Sequence, residues 1–456
     1  MYKRQTWERG PDGFYTFTAN NLKSFRREPD MPPDEQALPW ILVYYGEDPS
    51  QVAKFWKSLA KSSYSEDQPF FKVTDEVKAA AAGIVGSAAG ADAQLRALYD
   101  HCHRKIRNLG AGASDTTAEE REQKKKNRSP AEVLKAGVGR PKEIDYTFGA
   151  LARALGFETR MARMGRRDQM MLDPGWPDEY FLTSYVVAVK TSDGWRMFDP
   201  GNDYIAYGML EDVEEEQTAL VPDPDDPGFI AIPASPPDWS RITRIATFTL
   251  SEDGTLEGDV RIESRGHEAA ALKREIGTLA AADQVQHLAR RTEERAGVAE
   301  LNNVQIENAN DPDQPVIERF QVRLPGYAQV TGRRLLIQPA VFQKALAPRY
   351  SDSKRRFPVQ YGGTWSEFDS VIVRLPAGFQ IDKVGEPSTH QFSSFGEYVL
   401  KLDELLESHS VRVVRRFSMN RLNFESDDYP ALKTDFDQLH RQDAAVLVLA
   451  RTGTGP

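Results

Sequence analysis

A change of hydrophobic period near residue 240 constrains this chain more than any other feature. Upstream, apolar residues recur mainly three and four apart, as on one face of a helix; downstream they alternate, as on one face of a sheet. Between the two lies VPDPDDPGFIAIPASPPDW, whose prolines and aspartates interrupt both patterns and mark a boundary. A second proline-rich stretch, EPDMPPDEQALPW, closes a short opening region of strands and turns. A length of 456 residues exceeds what one compact core holds and suits three regions, 1–45, 46–240 and 241–456.

The middle region reads as helices followed by strands. In GADAQLRALYDHCHRKIRN, residues Leu95, Leu98, Tyr99, Cys102 and Ile106 make one apolar stripe. The polar loop SDTTAEEREQKKKNR follows, with Lys124 to Lys126 read as solvated charges or, alternatively, a contact for an acidic partner. SPAEVL is a capping box, with Ser129 as N-cap, Pro130 at the first helical position and Glu132 reaching back. GVGRPKEIDYTFGALARALGF then runs from a glycine turn into a helix whose core face is Ile144, Phe148, Leu151 and Leu155, with Gly156 at its end. ETRMARM reads as a strand, and FLTSYVVAVK–SDG–WRMFDP as a hairpin turning at Gly194. Segregated helices and strands predict an α+β domain.

The last region opens on two alternating segments around Asp253-Gly254, a hairpin signal. One long helix is expected over HEAAALKREIGTLAAADQVQHLARRTEERAG, then strands around NNVQIEN, VIERFQVRLP, RRLLIQP, SVIVRLP, EYVLKLD and SVRVVRRFSM. A short helix and a final strand, AAVLVLA, complete a sandwich-like β domain with helical inserts.

A net charge of −10 leaves no cationic excess to neutralise phosphates, which argues against nucleic acid as the main partner. No apolar run approaches the roughly 20 residues that span a bilayer. The opening MYKRQTWERGPDGFYTF lacks an export signal's apolar core and enters strand-like material at Phe14, Tyr15 and Phe17, as though a β domain began upstream. The single cysteine, Cys102, forbids an intrachain disulfide.

The turn GVGRP stands where a helix dipole would activate a thiolate, and the later hairpin is placed to supply a base and an orienting acid. The order SPAEVLKAGVGRPKEIDYTFGALARALGFETRMARM, YFLTSYVVAVKTSDGWRMFDPGN and YGMLED resembles bacterial transglutaminase-like proteins of the papain-like cysteine-enzyme superfamily. That resemblance implies a truncated N-terminal β domain, a transglutaminase-like core and a C-terminal β domain. It places the family's Cys on Pro141, its His on Ser184 (Thr183 or Tyr185 if the register slips) and its Asp on Asp199. Two of the three reactive groups are missing. None of the seven histidines lies between His103 and His267, so no slip within the hairpin restores the base. Pro141 has no nucleophilic atom, yet its fixed φ suits the first helical position.

Other groups carry bland readings. Cys102 sits on the apolar stripe as a buried thiol, with His101 and His103 expected as exposed neighbours that cannot converge on one metal. Glu143 and Asp145 suit the positive end of the central helix, and Asp199 suits a turn or strand end. Tyr146, Trp176, Tyr180 and Trp195 are candidate walls of a remaining cleft, with core packing the competing reading for Trp195. The expectation is a non-catalytic module that binds peptide, protein or cell-envelope material, without cofactor or metal. The alternatives are an enzyme using Ser184 and Asp199, and a purely structural core between β domains. The resemblance implies export; the chain's own opening carries no signal for it.

Overall fold

The computed structural model describes residues 9–14, 24–39, 51–110, 128–225, 227–383, 388–392 and 396–452. Tyr15, Phe17, the boundary expected near residue 45 and Lys124 to Lys126 lie outside the described residues.

The middle region begins with helices α1 (Val52–Asp67), α2 (Asp75–Val85) and α3 (Ala91–Lys105). The short helix α4 (Pro130–Ala136) starts as expected: the Ser129 hydroxyl accepts the Glu132 N–H, and the Glu132 carboxylate accepts the Ser129 N–H. The central helix α5 (Pro141–Ala154) is buried on every face from Glu143 to Ala152. It can be buried so fully because Gly149 lets Phe71 approach; a Cβ there would lie 2.2 Å from that ring. Gly156, at φ 92°, ends the helix where a side chain would be strained.

Behind α5 stands an antiparallel sheet of β1 (Thr159–Met164), β2 (Ser184–Thr191), β3 (Gly194–Phe198), β4 (Gln217–Val221) and β5 (Gly228–Ile232), in the order β3-β2-β1-β4-β5. Alternation divides its faces. Met161, Val187, Val189 and Phe198 join the helical core, whereas Ala162, Val186, Ala188 and Ala219 form a second cluster opposite.

The five-stranded sheet ends at Ile232 and the next sheet begins at Arg241. The following strands are β6 (Arg241–Leu250), β7 (Leu256–Ser264), β8 (Glu300–Glu307), β9 (Val316–Leu324), β10 (Gln329–Thr331) and β11 (Arg334–Ile337). Then come β12 (Trp365–Arg374), β13 (Phe379–Lys383), β14 (Ser388–Phe392), β15 (Gly396–Leu405), β16 (Ser410–Met419) and β17 (Leu447–Arg451). Eight of these form one sheet, β8-β9-β7-β6-β12-β16-β15-β14, with β6 and β12 parallel at its centre. The other four form the sheet β10-β11-β17-β13. One hydrophobic cluster joins the two, with Phe248, Phe320 and Val413 from the large sheet meeting Leu335, Ile337 and Leu449 from the small one.

The long helix expected after β7 is two: α6 (Gly266–Ile276) and α7 (Ala281–Ala296). Gly277 sits at the break, where a Cβ would lie 2.7 Å from Asn310 Oδ1, and Ala280 is already extended at ψ 153°. Periodicity continues through the break because both helices lie on the same side of the sheet. The terminal helix α8 (Tyr429–Asp443) follows expectation.

Candidate functional site

The site is built on the start of α5. Arg140 is the extended residue before the helix and Pro141 takes the first helical position. Glu143 reaches back, accepting the Arg140 N–H at 2.9 Å and the Arg128 N–H at 2.9 Å. Two glycines permit close approach around Pro141. A Cβ at Gly110 would fall 2.6 Å from the proline Cδ, and one at Gly201 would fall 2.4 Å from the Pro141 carbonyl. The Gly201 N–H donates to Asp145 Oδ1 at 2.8 Å, so the loop after β3 is held on the first turn of α5.

That loop carries Asp199, which is only 7% exposed. Ser184, the first residue of β2, donates its hydroxyl to Glu214 Oε1. Glu214 comes from a single 3-10 turn before β4 and is buried, as is Asp145. Asp145 is thus bonded to the loop that follows Asp199, and Glu214 to Ser184. Burial raises all three acids: Asp145 to about 8 and Glu214 to about 7, with Glu214's charge adding to the Asp145 shift. Asp199 is raised by burial first, then by the charges of Asp145 and Glu214. Burial there favours the neutral form of an acid. A thiolate placed among these carboxyls would be disfavoured for the same reason.

Glu214 is the site member that sequence reasoning missed. Its segment, EDVEEE, reads as a solvated acidic run, and only the fold turns two of its carboxylates, Glu214 and Glu215, inward. Lys142 was passed over as well. It is exposed on the first turn of α5, its ammonium 4.0 Å above the Tyr185 ring, and partial desolvation lowers its pKa.

Two histidines from outside the 104–266 interval approach these loops, and both are engaged. His103 is not the exposed neighbour of Cys102 that was expected: its side chain is 2% exposed, with Nδ1 3.0 Å from Asp313 Oδ1 and Nε2 donating to the Asn202 carbonyl. The helix carrying it lies against the β8–β9 loop, which its own sequence does not announce. His267 Nε2 donates to the Leu210 carbonyl, and Nδ1 lies 3.0 Å from Ser240 Oγ. Cys102 is fully buried in the helical core, where burial pushes its thiol well up. Among the described residues no group of three or more His, Cys, Asp or Glu could hold a metal ion.

The four aromatic candidates do not share one groove. Tyr146 is buried, stacked on Phe70, and donates to Asp67 Oδ1 at 2.6 Å; Asp67 in turn pairs with Arg163 at 2.9 Å. Trp176 packs on a separate cluster with Trp56 and Phe181, and Tyr180 is 53% exposed. Trp195 packs on the sheet face opposite α5, among Ala162 and Val186.

Residues 78–200 match the transglutaminase-like superfamily, a span that runs from α2 through Asp199. This part of the chain is a transglutaminase-like domain. Residues 333–449 match a domain of unknown function (DUF3858), which takes in β12 and β16 but not the hairpin β6–β7. A solved structure described as a putative protease from Parabacteroides distasonis is similar at 11% identity with a TM-score of 0.48. The similarity covers 86% of this chain and 58% of that one, so the chain spans little more than half of its length. None of the curated proteins matches. Within the transglutaminase-like domain, the matched span contains Pro141, Ser184 and Asp199 and stops before Glu214.

Proposed function

We propose that the transglutaminase-like domain is non-catalytic and serves as a binding or scaffolding module, for peptide or cell-envelope material. The observation that carries this reading is Pro141 at the start of α5, held between Gly110 and Gly201 with no nucleophilic atom at that position. Burial raises Asp145 on the same helix turn to about 8, and the histidines that come near are bonded elsewhere. Acyl transfer through a Cys–His pair needs groups this site does not contain.

The test is an assay of purified protein for amine–glutamine cross-linking and for peptide hydrolysis, with no turnover expected. Turnover that survives Cys102→Ala overturns the reading. A melting-temperature screen against peptides and wall glycans then separates binding from pure scaffolding, because a ligand of the folded state raises the midpoint.

One observation favours a second reading. The Ser184 hydroxyl already donates to Glu214, whose pKa of about 7 suits a general base near neutrality. If Ser184 is a nucleophile, hydrolysis appears in the same assay and disappears in Ser184→Ala. Restoring chemistry also tests the register: Pro141→Cys with Ser184→His should react faster with iodoacetamide than Pro141→Cys alone.

A further inference from the structure

His103, near the end of α3, joins the transglutaminase-like domain to the β-rich half, and both edges of its ring face acceptors. Nε2 lies 2.8 Å from the backbone carbonyl of Asn202, in the loop after β3 that also carries Asp199. Nδ1 lies 3.0 Å from Asp313 Oδ1, in the loop between β8 and β9. A carbonyl oxygen only accepts, so Nε2 carries a hydrogen. An ionised carboxylate only accepts too, and a neutral imidazole has no second hydrogen to give it. The closed junction therefore holds one proton more than a neutral histidine and an ionised aspartate supply, whichever of the pair carries it.

The charged groups around the pair come from four elements. Burial pushes Asp313 up, but the hydrogen bond and charge of His103 and the Arg104 guanidinium bring it below its ordinary value. Asp311 of the same loop faces Arg104. Asp100 on α3 and Asp203 in the loop after β3 add two carboxyls that feel the His103 charge, both raised by burial. From α6, Lys273 donates to the carbonyls of Pro312 and Gln314, and Arg274 to the Asn202 side chain. The Tyr99 ring packs on the imidazole, 5.4 Å between centroids. Removing the shared proton would set the Nδ1 lone pair against Asp313 Oδ1, two acceptors with no hydrogen between them beside a side chain only 2% exposed.

We propose that His103 is a proton-operated latch: protonated, it fastens the loop after β3 and the β8–β9 loop to α3, and loss of the proton releases the β8–β9 loop. The closed junction binds this proton, whereas an unfolded histidine holds it only below about pH 6.5. The latch is therefore fastened below that value, and its stabilisation is lost as the pH climbs beyond it. Asp313, held low, works in the opposite sense, and its share is lost only as the pH falls through the carboxylate range. The latch does not depend on whether the transglutaminase-like domain is catalytic.

Hydrogen exchange of the full chain, read by mass spectrometry between about pH 5.5 and pH 8.5 and corrected for the intrinsic rate, tests it. The amides of Asp311, Asp313 and Gln314 are hydrogen-bonded within the β8–β9 loop and report on it. Protection of residues 308–315 should fall by up to about tenfold per pH unit once the proton is lost, with β7 and β9 unchanged. The slow exchange of the His103 ring C–H reports that residue's own titration, and the two midpoints should coincide. Asp313→Asn puts an amide opposite Nδ1, able to donate to the bare nitrogen or accept from the protonated one, so the variant's protection should stay flat across the range. Lys273, which burial pushes down to about 8, remains in that variant, so a fall caused by Lys273 would survive the substitution. The latch is overturned if residues 308–315 keep their protection in the parent at high pH, or if Asp313→Asn shows the parent's fall. It is overturned as well if the loop's midpoint lies more than about one pH unit from that of His103.

Discussion

Asp145 makes the sharpest residue-scale prediction. A carboxyl with a higher pKa folded than unfolded binds more protons in the folded state, so the unfolded chain ionises first as the pH rises. The stabilisation from Asp145 and Glu214 is therefore fully present below about pH 4, the ordinary carboxyl range. It is lost as the pH climbs to their folded values of about 8 and about 7, respectively. Asp145→Asn removes that titration and keeps an amide oxygen to accept the Gly201 N–H. Thermal denaturation should show the variant more stable than the parent at pH 8, with the gap closing by pH 5; a gap that widens towards acid would contradict the assignment. At this scale the sequence made part of the site readable. Pro141, Ser184 and Asp199 are assigned through the family resemblance that segment order carries, and nothing local to those residues singles them out. Glu214 cannot be assigned that way, since an acidic run is normally solvated and only the fold turns this carboxylate inward. His103 was misread for a related reason: what buries it is Asp313, from a loop more than two hundred residues away.

At the scale of elements, local chemistry was readable and close packing was not. The Ser129 capping box, the Gly156 stop and the Gly254 hairpin each follow from a few neighbouring residues and stand as read. The break between α6 and α7 falls at Gly277, where a Cβ would meet Asn310 Oδ1, a neighbour from another segment that no local pattern announces. Gly149 shows the same limit and can be tested. By helix propensity, Gly149→Ala should stabilise α5 by about 1 kcal/mol. Phe71, however, is held between Tyr146 at 5.0 Å and the Arg153 guanidinium at 4.4 Å and has little freedom to retreat from a new Cβ. Overpacking of that kind costs about 1–3 kcal/mol, so the expected result is a net loss of stability in urea denaturation.

At the scale of the molecule, Arg167 ties the middle region to the β-rich half. Its side chain is almost fully buried and donates to the carbonyls of Glu215, Asp212, Tyr361 and Gly362. Gln36 and Gln360 both donate to its own carbonyl, adding the N-terminal segment to the same junction. Arg167→Ala leaves those acceptors buried and unmatched. Scanning calorimetry should then show the two halves melting separately, where the parent protein melts as one unit. Arg167→Lys should not rescue it, because one ammonium cannot serve four divergent carbonyls.

The parallel pairing of β6 with β12 has a consequence for how the chain is made. Arg241 lies opposite Ser366, so the partner of β6 is synthesised roughly 125 residues after β6 itself. Until then the hairpin β6–β7 presents an unoccupied strand edge to everything around the ribosome. Mutations that delay β12 should therefore leave the finished protein's stability unchanged yet lower its yield, through capture of nascent chains into aggregates.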